Sequence, residues 1–433
     1  MQTDNKKSLK EYFHNYFKTK KEEIRNYGKA NLIKRLITIG VTLVLAVLFI
    51  VIFGKTTYYK NEYTIIMNET YGIYGKLIKA KVTSIDDIYY PSEDERLDYT
   101  IRITFTAEIL KGDKKGQSVE VMQYLNDYTS HFYKQVKDGK RIYIVEENTA
   151  ENGEPTYYFA GDSLSYNHWG GIIALVSILI ILLLIISKSK GLLTIISLAL
   201  TALVIVFVLL PSIINGINIY LLVLICAIYV IAVTFILVVG INKKCLCASL
   251  GCFSGLLLSG LLALITLRII NATGYYYQEG VEDVVMLFQT SYNADIIIDL
   301  KGLVFASTII GALGAVMDVS LSLSSALKEV YDNSKETSLI NTIKSGFTIG
   351  KDMIGTMVNT LILAYVASDL TFILWIMEHR SNGFIFQSEY IAVAIAQALV
   401  GAIAMVLTIP LTSIICAFVY NKKNKNKELL EEE

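Results

Sequence analysis

The chain has 433 residues, 53% of them hydrophobic and only 18% charged, and its mean hydropathy of +0.49 excludes an ordinary soluble protein of this length. Lysine plus arginine balance aspartate plus glutamate at 39 each, so net charge points to no nucleic-acid partner. All five cysteines lie in or beside apolar segments outside residues 54–168, which excludes a disulfide scaffold for that polar region.

Residues 1–35 carry ten lysines and arginines against four acids, a basic segment expected to stay cytoplasmic. The apolar run at 36–53 is long enough to span a bilayer, and no small-residue cleavage site precedes Gly54, so it reads as an uncleaved signal anchor. Residues 54–168 form a polar, strand-rich region. Apolar residues alternate through Tyr99, Ile101, Ile103 and Phe105 and again at Val119 and Val121, with turns at 111–116 and 137–140. Short strands joined by such turns predict a small β-barrel or sandwich, OB-like, of about a hundred residues. His131 and His168 are isolated in this region, and nothing in it forms a catalytic or metal-binding set.

Seven further apolar blocks follow, at 170–187, 191–210, 219–240, 249–270, 302–327, 351–377 and 390–420. The fold class expected is therefore an all-α membrane protein. An eight-helix transmembrane bundle, its later helices within 169–420, carries a small extracytoplasmic β-rich domain between its first two helices, and 421–433 forms a charged cytoplasmic tail. Lysines sit where this topology puts the inside: Lys188 and Lys190, Lys243 and Lys244, Lys328, Lys335 and Lys344, then Lys422, Lys423, Lys425 and Lys427. Both termini fall on the cytoplasmic side. The stretch 271–301 mixes apolar and acidic residues and is expected to hold an interfacial helix.

The sixth block places Gly311, Gly314, Asp318, Ser322 and Ser325 at steps of three and four, one face of a helix. An aspartate at the centre of a span costs about 2.5–3.5 kcal/mol on insertion scales, so it is expected to face protein or a water-filled cavity. The glycines beside it would admit a neighbouring helix. In the seventh block Asp352, Thr356 and Asn359 share a face, with Lys351 and Gly355 beside them. In the eighth, Gln397, Gly401, Ala404, Thr408 and Thr412 do the same, with Pro410 as a possible kink. If the three stripes meet, they enclose a polar path around Asp318, with Asp352 nearer the cytoplasmic mouth. Two readings of Asp318 stand side by side: a relay that loads and releases a proton or cation, or a carboxyl that hydrogen-bonds a Ser or Asn and fixes helix register. For Asp352, the adjacent Lys351 suggests an interfacial anchor favoured by the helix dipole.

These residues carry a resemblance. GALGAVMDVSLSLSSALKEV (311–330) and SGFTIGKDMIGTMVNTLILAYV (345–366), supported by ALVGAIAMVLTIPLTS (398–413), resemble the YibE/YibF family of bacterial multi-pass membrane proteins. The general layout, an anchor helix, an exported β domain and a multi-helix block, is similar too. The resemblance implies an architecture and no assigned activity. A looser likeness links Asp318, Lys328 with Glu329, the link at 340–346, and Thr356 with Asn359 to the resistance-nodulation-division permeases and SecD/SecF proteins, although this chain has two extra spans and a much smaller exported domain.

The function expected is an ion- or proton-coupled membrane transporter or permease. Its path would run along Asp318, Ser322, Asp352, Thr356 and Asn359, and its helices would pack through Gly311, Gly314, Gly355 and Gly401. The alternative is a non-catalytic scaffold or assembly factor whose exported β domain binds another envelope protein. A membrane-embedded hydrolase fits badly, because the spans hold neither an HExxH-type ligand set nor a Ser/His pair. No cofactor, metal or nucleic-acid partner is expected. The surrounding partner is the lipid bilayer, and a composition rich in Lys, Asn, Ile and Tyr with four prolines suits an AT-rich bacterial genome and hence a bacterial cytoplasmic membrane.

Overall fold

The computed structural model describes residues 29–55, 65–67, 73–90, 101–125, 135–147, 156–159, 169–274, 298–334, 338–379 and 387–431. The chain divides into two units, Tyr59–Ile185 and a second made of Met1–Tyr58 with Ile186–Glu433.

The first unit is built on six strands: β1 (Ile65–Met67), β2 (Ile73–Tyr89), β3 (Ile101–Ile109), β4 (Ser118–Leu125), β5 (Arg141–Glu147) and β6 (Thr156–Phe159). They run in the order β1-β2-β3-β4-β6-β5, and β5 pairs back onto β2. Strands β2 to β6 thus close into a five-stranded barrel. All pairings are antiparallel except that of β4 with β6, a Greek-key closure of the OB type. Strand β2 makes closure possible because its first half pairs with β5 and its second half with β3. Register shifts between Val82 and Ser84 and between Ile85 and Asp87 bend it from one partner to the other.

The expected alternation is the barrel wall itself. Ile103, Phe105, Ala107 and Ile109 of β3 point inward against Val121 and Leu125 of β4, Ala80 and Val82 of β2, and Ile142 and Ile144 of β5. Each large side chain among them contributes about 1.5–3 kcal/mol by leaving water, and this apolar filling holds the unit in the absence of any cysteine. One inward residue is polar. Gln123 is buried, and its Oε1 accepts the Val136 amide N–H at 3.0 Å. Both expected turns are present, with Gly116 (φ 86) and Gly139 (φ 74) in the left-handed conformation that glycine alone adopts without strain.

The helices are α1 (Lys29–Lys55), α2 (Trp169–Val204), α3 (Leu210–Ile214), α4 (Ile219–Val238), α5 (Lys243–Ile269), α6 (Leu300–Asn333), α7 (Leu339–Ser368), α8 (Leu370–His379) and α9 (Glu389–Glu431). Helix α2 runs from one unit into the other and breaks at Lys188 (φ 47, ψ −123). Side chains set several starts: Asn218, Asn242, Asp299 and Ser338 each accept the backbone N–H three residues on, as N-caps do. Between α2 and α3 the chain makes one wide π turn, Ile205–Leu209. Pro211 follows immediately. Proline has no N–H to give, and its ring crowds the carbonyl four residues back, a conflict that a wider turn relieves.

Among the described residues six helical stretches, not eight, are long and apolar enough to cross a bilayer: Ile33–Gly54, Trp169–Ile214, Ile219–Val238, Lys243–Ile269, Leu300–Asn333 and Glu389–Tyr420. Two expected spans, 170–187 and 191–210, fall in the single 46-residue stretch Trp169–Ile214. The expected seventh, 351–377, falls on α7 and α8. Helix α7 is capped by Ser338, thirteen residues before Lys351, and one face of it is exposed and polar, which keeps it out of the set. Residues 275–297, most of the stretch expected to hold an interfacial helix, lie outside the described residues. The expected tail from 421 continues α9 to Glu431.

In the helical unit α9 packs on α5, α6 and α7, while α6 also packs on α4, α5 and α7. Glycines bring these axes close. A Cβ at Gly251 or Gly255 of α5 would stand 2.2 or 2.1 Å from the hydroxyl of Thr412 or Thr408 on α9, and one at Gly346 or Gly350 of α7 would stand 2.2 or 2.3 Å from Ser413 or Ile409. Such backbone-to-side-chain approach is how helices associate where no water is expelled. Helix α1 lies against α4, with Phe49 stacked on Tyr229 at 4.7 Å and the Tyr229 hydroxyl donating to Ala46 O at 3.3 Å.

Candidate functional site

Asp318 sits near the middle of the 34-residue helix α6, about 25 Å from either end at 1.5 Å per residue. Its side chain is exposed, and it opens onto a cavity of about 340 Å³ formed by α2, the π turn, α4 and α6. Gly314, one turn earlier, lines the same cavity, and no atom lies within 4 Å of where its Cβ would stand. Ile309, Ile310, Leu313 and Met317 complete the α6 wall.

The α2 and α4 lining supplies hydroxyls. Thr194, Ser197 and Thr201 of α2 and Thr234 of α4 all line the cavity. Three of their four protons are committed: Thr194 Oγ1 donates to Lys190 O at 3.0 Å, Thr201 Oγ1 to Ser197 O at 3.0 Å, and Ser197 Oγ to Thr234 Oγ1 at 2.8 Å. What those oxygens still present is lone pairs. Among the described lining residues there is no lysine, arginine, histidine or glutamate, and Cys226 is the other ionisable side chain. Among the described residues the cavity therefore holds one carboxylate and no countercharge, with hydroxyl acceptors and apolar side chains in the rest of its lining.

The other expected path residues lie elsewhere. Ser322 is exposed one turn beyond Asp318 on α6, and Asp352, Thr356 and Asn359 are exposed on α7. None of the four lines the cavity. Among the described residues the three polar stripes do not line one cavity. Helix α7 turns Gly346 and Gly350 toward α9, and the Thr408/Thr412 stripe of α9 meets the glycines of α5. Steps of three and four on these helices thus mark close seams rather than a shared channel. Of the glycines expected at packing contacts, Gly311 lies under the Tyr365 hydroxyl and Gly401 against Leu361, whereas Gly314 and Gly355 have open space where a side chain would be. The cavity hydroxyls were missed, although a signal was available: Thr194, Ser197 and Thr201 fall at steps of three and four in an otherwise apolar run.

Long apolar helices whose leucines, isoleucines and valines face outward, with a closed β-barrel as a separate unit, define a multi-pass helical membrane protein. The family model for YibE/F-like protein matches residues 175–422. That is more than half of the chain and includes every helix around the cavity, so the chain belongs to the YibE/F-like family. No curated protein and no solved structure matches it.

Proposed function

We propose that the protein is an ion- or proton-coupled membrane permease, not an enzyme, in which Asp318 is the group that loads and releases the coupling ion. One observation carries this reading: a carboxylate, with no cationic side chain among the described lining residues, lies midway along a membrane-type helix and opens onto a cavity of about 340 Å³ whose lining includes hydroxyl oxygens from two other helices. Intramembrane carboxylates are costly, and where they line a cavity they mark ion or substrate paths.

In this proposal the chain crosses the bacterial cytoplasmic membrane eight times, with both termini inside and the barrel outside. A continuous helix of 46 residues would be about 69 Å long, more than twice the roughly 30 Å hydrocarbon core. The break at Lys188 supports two spans there, and Lys188 and Lys190 suit an inside turn. Helix α7 then supplies the seventh span. Tyr90 and Tyr124, both exposed on the barrel, favour a second role, contact between this domain and another envelope protein.

The test uses proteoliposomes enclosing a pH-sensitive dye, with an imposed membrane potential. Wild type should admit protons, Asp318→Asn should not, and Asp352→Asn, away from the cavity, should behave as wild type. Equal proton entry through Asp318→Asn would overturn the relay.

A further inference from the structure

We infer that the cavity beside Asp318 binds a lipophilic organic cation carrying a single positive charge, as the substrate of the permease proposed above, on which this assignment rests. Charge sets the class first. The lining offers one carboxylate, Asp318, and among its described residues no cationic group. An anion entering here would meet repulsion with nothing to compensate it, whereas one positive charge would be neutralised.

Hydrogen-bond polarity agrees with charge. The protons of Thr194, Ser197 and Thr201 are already given to Lys190 O, Thr234 Oγ1 and Ser197 O, so the wall mainly accepts. A ligand with N–H groups or polarised C–H groups around a cationic centre satisfies such a wall, and an acceptor-rich ligand does not.

The remaining surface excludes a bare metal ion as the main occupant. Most of the wall is hydrocarbon, from Leu198, Val204, Leu209, Val230, Leu313 and Met317. A hard cation stripped of water needs oxygen ligands all round, and here oxygens lie at Asp318 and along the α2–α4 side only. Apolar walls of this size suit the body of a small molecule, since ligand pockets run from about 300 to 1,000 Å³. Met317, with its flexible thioether, adapts to differing shapes. The cavity thus reads as an apolar slot with a carboxylate from α6 and acceptors from α2 and α4.

The test measures binding of tetraphenylphosphonium and tetraphenylborate, ions of the same shape and opposite charge, to the full chain in detergent by equilibrium dialysis. Wild type should bind the phosphonium saturably and at least tenfold more tightly than the borate. Asp318→Asn should weaken the phosphonium at least tenfold. Gly314→Leu, which keeps the carboxylate but fills the cavity, should weaken it as well, and Asp352→Asn should not. Equal affinity of wild type for the two ions, or phosphonium binding unchanged in both cavity variants, would overturn the assignment, and the first comparison needs no variant to fold. Phosphonium binding without Asp318-dependent proton entry would remove the coupling and leave the cation site. Proton entry without phosphonium binding would remove the substrate class alone.

Discussion

Gly255→Ala tests the packing that holds α5, α6 and α9 together. The added methyl would stand 2.1 Å from Thr408 Oγ1 and 3.0 Å from Val316 Cγ1, and both neighbours are fully buried. Contact at van der Waals distance requires a shift of about 1 Å, and forcing a methyl into a filled core costs about 1–3 kcal/mol. Alanine recovers about 1 kcal/mol of helix propensity, leaving a net loss of up to about 2 kcal/mol. Thr408→Ala removes the nearest atom while leaving Val316 in place, so the double variant should recover part of that loss, with a coupling of about 1–2 kcal/mol. Gly314→Ala is the internal control: nothing lies within 4 Å of its Cβ position, and it should be neutral or stabilising. Reversible unfolding in mixed detergent micelles gives all four values. The reasoning fails if Gly255→Ala is as stable as Gly314→Ala, or if the double variant is the sum of the singles.

Two further expectations concern the barrel and are read in the full chain by protease sensitivity of that domain. Gln123→Leu keeps the volume but removes the acceptor of the buried Val136 N–H, and it should cost about 1–3 kcal/mol, the penalty of an orphaned buried donor; a neutral outcome would mean that water replaces the amide. Lys114 forms an ion pair with Glu146 and donates to Tyr157 Oη at 3.0 Å, and these partners, Glu146 first, hold its amine above the usual lysine value. The stabilisation is fully present below the unfolded lysine value of about 10.4 and is lost as pH rises through the higher folded one. Wild type and Lys114→Met should therefore differ at neutral pH and converge in strong alkali, and a gap that persists there would refute the pairing.

The barrel could be read from the chain because its signal is local. Alternation at Ile101, Ile103 and Phe105 and the glycine turns depend on residues a few positions apart. Its closure could not, because the pairing of Gly75–Lys81 with Arg141–Glu147 joins segments some sixty residues apart, and only the bends in β2 permit it. The site divides in the same way. Asp318 stands out as a charge in an apolar run, and its helical face follows from spacing. Spacing says which residues share a face and nothing about which helix that face meets. Thr408 and Thr412 look as polar as Asn359, yet they fill the notch left by Gly251 and Gly255. The missed hydroxyls of α2 line the same cavity as Asp318. Helix α7 begins before the apolar block does: hydropathy marks Lys351, whereas Ser338, a cap that hydropathy does not see, starts the helix.

The π turn at Ile205–Leu209 bears on how this wall could have arisen and how it could move. Leu210 N–H bonds to Ile205 O, five residues back, so the segment carries one residue more than an α-helix needs there. Deleting that surplus residue would close the wide turn to a regular α-helical one and leave the residues on either side on the faces they now occupy. Moving the surplus along the helix, one hydrogen bond at a time, would re-aim only the residues it passes. The cavity is thus bordered by a helix with slack in it, on the side where an occupant of uncertain shape would press.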